Sequence, residues 1–87
     1  MTTEATVHIS SAVVSVLPEH RSEVLRMLAT LPDVETHQRS ASKIVIVMEA
    51  AESGILGGRL AEIASWRGVL SANMVFEQVE RLADIGD

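Results

Sequence analysis

Apolar positions along the chain recur with two different periods. The runs Ile9–Val16 (within VHISSAVVSV) and Ile44–Met48 (within KIVIVME) are almost continuously aliphatic and β-branched, with no charge between Ile9 and Leu17. Such runs predict strands with little exposure on either face, hence central ones. Glu19–Leu31 changes to helical spacing: Val24, Leu28 and Leu31 form one stripe with Met27 beside it. Pro18 suits the first helical position, Glu19 and Glu23 favour the positive end of the helix dipole, and Pro32 stops the segment. A second helical segment, Ser53–Trp66, carries Leu56, Leu60, Ile63 and Ala64, with Ser53 as the expected N-cap. Gly57 and Gly58 weaken it by about 1 kcal/mol each relative to alanine, and Gly68 suits a left-handed residue just past its end.

Two more strands complete the pattern. Val34–Gln38 is short and polar, as suits an edge strand guarded by Glu35 and Arg39, and Ser71–Val79 lies within a closing apolar stretch, Val69–Glu80. The order β-α-β-β-α-β predicts an α+β fold of ferredoxin-like plan: a four-stranded antiparallel sheet with two helices on one face. The chain reads as one domain, residues 1–87, with a folded core at 6–80 and an acidic tail at 81–87.

Two helices leave the other face of the sheet bare. Alternation places Ser10, Ala12, Val14, Ile44, Ile46, Met48, Ala72, Met74 and Phe76 under the helices. It leaves Ile9, Ser11, Val13, Val45, Val47, Glu49, Ser71, Asn73, Val75 and Glu77 on the open side. Both sets of each central strand are apolar, so the inverse assignment stays open at this point.

Composition removes several function classes. With a formal net charge of −5, no basic cluster and only Trp66 and Phe76 as aromatic residues, the chain lacks what binding to phosphate backbones or unstacked bases needs. There is no cysteine, so neither a disulfide nor a thiolate site exists. His8, His20 and His37 show no metal-ligand spacing. Ser10, Ser11 and Ser15 lack a nucleophile-elbow context, and the GILGG stretch has no following Lys-Ser/Thr. No catalytic residue, metal or cofactor is expected. Met1–Thr6 has no leader-like pattern and no run is long enough to span a membrane, so a cytoplasmic protein without membrane insertion is expected.

What remains is the bare face. An aliphatic surface floored by small hydroxyls and bordered by carboxylates suits an apolar, positively charged peptide. The candidate peptide-binding residues are Ile9, Ser11, Val13, Val45, Val47, Glu49, Asn73, Val75 and Glu77, with Glu80 a further carboxylate. Weak homodimerisation through the same face is one rival. An amino-acid-binding ACT-like regulatory domain is another, although Leu17–Pro18–Glu19 stands where such a domain has a glycine-rich loop.

Four segments, HISSAVVSV, LPDVETH, KIVIVMEA and GVLSANMVFEQVE, resemble in order and spacing the NapD-type chaperones of periplasmic nitrate reductase, over about Val7–Glu80. The resemblance implies a cytoplasmic, ferredoxin-like, non-enzymatic protein without cofactors. Its implied partner is the twin-arginine signal peptide of the nitrate reductase catalytic subunit, held so that export waits for cofactor insertion. The chain departs from the family pattern at Asp33, where glycine is common, and at Phe76, where tyrosine is frequent.

Overall fold

The two aliphatic runs occupy the centre of the sheet. The computed structural model describes residues 6–81, which form β1 (Thr6–Val16), a 3₁₀ turn (Pro18–His20), α1 (Arg21–Leu28), β2 (Val34–Arg39), β3 (Lys43–Ala50), α2 (Ser53–Ala64) and β4 (Val69–Arg81). The strand order is β2-β3-β1-β4 and every pairing is antiparallel. This is the expected ferredoxin-like plan, with the polar β2 at one edge and β4 at the other. Residues 82–87, most of the expected acidic tail, lie outside the described residues.

Both helices lie on one side of the sheet. Val24 and Leu28 of α1 and Leu56, Leu60 and Ile63 of α2 bury against Ala12, Val14, Val16, Ile44, Ile46 and Met48. The helix-facing set of the two central strands is therefore the one alternation selects. Ser10 is fully buried on this side, and its hydroxyl has no hydrogen-bond partner among the described residues.

The helices are shorter than their periodicity suggests. Pro18 opens a 3₁₀ turn rather than the α-helix itself, and α1 begins at Arg21. At the other end Thr30 N–H bonds to the Met27 carbonyl and Leu31 N–H to the Leu28 carbonyl, both at 3.1 Å. The Thr30 hydroxyl donates to the same Met27 carbonyl at 2.6 Å. These i→i+3 bonds tighten the last turn, so α1 ends at Leu28 and not at Leu31. In α2 the N-cap is Glu52, without a side-chain capping bond, and Ser53 is already helical. The helix ends at Ala64, and the Ser65 hydroxyl bonds to the Glu62 carbonyl at 2.6 Å; Trp66 lies in the turn beyond.

Gly68 adopts φ 87°, as the turn after α2 requires. Its carbonyl accepts the Leu17 N–H at 2.8 Å, and a Cβ at this position would stand 2.3 Å from His20 Cβ. The start of β4 is thereby fastened to the turn that follows β1.

β4 breaks strict alternation twice. Val16 pairs with Val69 but Ser15 with Ser71, leaving Leu70 as an inserted residue. Ala12 pairs with Met74 but Ser11 with Phe76, leaving Val75 inserted. Each bulge shifts the side-chain parity of all that follows. Phe76 is consequently not on the helix side, and Glu77 is not on the open side: both expectations reverse.

Candidate functional site

Directly paired residues of antiparallel strands share a face, so the register maps the open side row by row. One row crosses the whole sheet: Glu35 on β2, Val47 on β3, Ser11 on β1 and Phe76 on β4. The row nearer the end of β3 is Glu49, Ile9 and Gln78; the row on the other side is Val45, Val13 and Asn73. Beyond it stand Lys43, Ser15 and Ser71. Ile9, Ser11, Val13, Val45 and Val47 are half-buried by one another and by the strands themselves, whereas Glu49 and Asn73 are exposed.

Of the nine candidate residues, seven therefore share the open face: Ile9, Ser11, Val13, Val45, Val47, Glu49 and Asn73. Val75 is the bulge residue, 62% exposed and with no partner on β1. Glu77 leaves the set. It pairs with Ser10 on the helix side, where its carboxylate lies 3.1 Å from His8 Nδ1. Glu80, paired with Val7, lies on the open side, and its carboxylate accepts a hydrogen bond from the Gln78 amide.

Two residues join the face that alternation along β4 and attention to the central strands miss. Phe76 is brought there by the Val75 bulge and is 55% exposed. No local signal reveals it, since the bulge depends on pairing with β1. Glu35 was legible: Val34 and Thr36 pair with Met48 and Ile46 on the helix side, so the intervening residue must face out.

Charge is distributed unevenly along β3. At one end Pro32, Asp33, Val34, Glu35, Val47 and Glu49 line a depression of about 210 Å³. The Glu49 N–H donates to the Asp33 carbonyl at 3.1 Å, which holds the turn before β2 against β3. Glu35 contacts His37 Nε2 at 3.4 Å, and Glu49 makes no side-chain hydrogen bond or ion pair among the described residues. At the other end Arg39, Ser40, Lys43 and Val45 line a second depression of about 220 Å³, where Lys43 Nζ donates to the Ser15 hydroxyl at 3.0 Å.

Asp33 has a role of its own. Its Oδ2 accepts a hydrogen bond from Arg59 Nε at 3.1 Å, and its Oδ1 lies 2.8 Å from Arg59 Nη2. The second contact is a charge contact off the ideal bonding direction, since Oδ1 has no aligned donor. Arg59 Nη1 also donates to Glu62 at 2.8 Å. The bond to Asp33, more than the opposing effect of burial, raises the guanidinium pKa above its ordinary value. Asp33 thus clamps the turn before β2 to α2.

Among the described residues no group of three or more His, Asp or Glu side chains is placed to hold a metal ion. No helix among the described residues is long and apolar enough to cross a membrane. The fold and its bare aliphatic side define a class: a small ferredoxin-like α+β domain whose sheet offers an uncovered surface. Within that class the chain belongs to the NapD family, whose model, described as NapD protein, matches residues 7–81. It is 43% identical over 72 residues to the protein named Chaperone NapD from Paracoccus pantotrophus, a match covering 83% of this chain and 64% of that relative's length. The chain thus spans just under two-thirds of that relative.

Solved structures agree on the fold. The solution structure of the E. coli Tat proofreading chaperone protein NapD matches with a TM-score of 0.75 at 26% identity, covering 83% of this chain and 78% of that one. A transcriptional regulatory protein of the AsnC family from Pyrococcus furiosus matches with a TM-score of 0.61 at 21% identity, over 86% of this chain and 49% of that one. The second likeness concerns the fold alone.

Proposed function

We propose that this chain is a cytoplasmic, non-enzymatic assembly chaperone. On this reading its open sheet face binds the twin-arginine signal peptide of the nitrate reductase catalytic subunit and delays export until cofactors are in place. The observation that carries the proposal is the bare row of half-buried aliphatics on the two central strands, Ile9, Val13, Val45 and Val47, with carboxylates at one end. Membership of the NapD family, and the chain's likeness to a Tat proofreading chaperone of that family, support the choice of a twin-arginine peptide as the ligand.

The chemistry of the face suits that ligand. Burying the peptide's apolar run against the valines contributes about 25 cal/mol per Å². The arginines reach Glu35 and Glu49, where exposed ion pairs are worth only about 0–1 kcal/mol each. Apolar burial therefore sets affinity, while the carboxylates set orientation and association rate.

The sheet supports a helical conformation for the peptide. On β1 and β3 the backbone donors and acceptors are used in ladders on both sides. An occupant of this face must satisfy its own backbone, which an amphipathic helix does and an isolated extended segment does not. The test is an NMR titration of the chain with a synthetic twin-arginine signal peptide. Saturable shifts at a 1:1 ratio centred on residues 9–13 and 45–49 are expected. Unchanged binding by a folded Val47→Asp variant would remove the face from the mechanism.

A further inference from the structure

The open face carries a carboxylate-lined depression at one end of β3 and the Lys43 ammonium at the other. Lys43 and Glu49, six positions apart on that strand and both on this face, are separated by roughly 20 Å at strand rise. An α-helix of about 13 residues covers that distance. Val45 and Val47 lie between the two poles, flanked on β1 by Ser11 and Val13.

We propose that the bound helix has one direction: its paired guanidinium groups sit over the depression of Glu35 and Glu49, and its C-terminal end lies over Lys43. The inference rests on the peptide-binding reading given above and adds the polarity of the complex. Two physical effects select this direction. Cations at the N-terminal end of a helix oppose its macrodipole, and a pair of carboxylates beneath them offsets that conflict. The last carbonyls of the helix have no partners within it, and the Lys43 ammonium can supply donors there. The reverse direction sets arginines against Lys43, and unpaired carbonyls against two carboxylates.

The test uses the intact chain, whose lack of cysteine allows a nitroxide to be confined to the peptide. One peptide carries the label just before its arginines, a second just after its apolar run. The first is expected to broaden the amides around Glu35 and Val47–Glu49, the second those of Ser40–Val45. The interchanged pattern, equal broadening at both ends from either label, or broadening that runs crosswise toward β4 would overturn the direction while leaving binding in place. Failure of either peptide to perturb the face removes the binding reading and the direction with it. Shifts on the face that follow chain concentration without peptide would assign it to a second copy and overturn both.

Discussion

Phe76 stands directly across from Ser11 on the open face because Val75 has no partner on β1. A large aromatic beside the smallest side chain of the row gives the face a raised edge at β4 and a low floor over β1. Phe76→Ala is expected to weaken twin-arginine peptide binding about five- to tenfold, the scale of one apolar anchor. Its exposed ring contributes little to the fold, so stability should stay within about 0.5 kcal/mol. Calorimetric titration beside thermal unfolding separates the two. Loss of stability without loss of affinity would return Phe76 to a structural role.

The same bulge divides the carboxylates. Glu49→Lys should weaken peptide binding about three- to tenfold at low salt, and added salt should shrink the difference. Glu77→Lys should leave affinity within about twofold, because that carboxylate lies beside His8 on the helix side. Stopped-flow association rates across a salt series would reveal an equal response of the two variants, which would contradict the face assignment.

Asp33 and Arg59 join the turn before β2 to α2, and Arg59→Met should cost about 1–2 kcal/mol. The raised pKa of Arg59 fixes the sign of its pH dependence. Stability from its protonated form is fully present below the unfolded-state value and is lost only as pH rises through the still higher folded value. Urea unfolding between roughly pH 6 and 9 should therefore show a constant offset between wild type and variant, since an arginine stays charged throughout that range. An offset that closes with rising pH within it would be inconsistent with this pairing.

Glycine acts in opposite ways at two places. An added Cβ at Gly57 or Gly58 meets nothing within 4 Å, so alanine at either should stabilise by about 0.5–1 kcal/mol. In a domain of this size that is a rise of several degrees in Tm. Gly68→Ala combines positive φ with a clash against His20 and should destabilise by about 2 kcal/mol or more. Differential scanning calorimetry on the three variants checks both signs.

Ser10 is buried without a partner for its hydroxyl among the described residues. Ser10→Ala should therefore be neutral or stabilising by up to about 1 kcal/mol, since it removes a desolvated polar group and opens little volume. A loss of more than about 1 kcal/mol in the same calorimetry would show that the hydroxyl has a partner in solution.

The amino-acid sequence by itself determined the order of elements, the central places of β1 and β3 and the polar edge at β2. Period-two and helical spacing are local properties, and uninterrupted β-branched runs have few alternatives to a covered strand. Alternation also determined which residues of each central strand share a face, but with both faces aliphatic only the packing of the helices decided which one stays bare. The tertiary structure alone decided the side on which Phe76 and Glu77 stand. Their parity depends on how thirteen residues of β4 match eleven of β1, and the bulges at Leu70 and Val75 that absorb the difference exist only in the paired sheet. Likewise, the opposed charge at the two ends of β3 arises where β2 and its flanking turns meet that strand, a proximity that spacing along the chain does not encode.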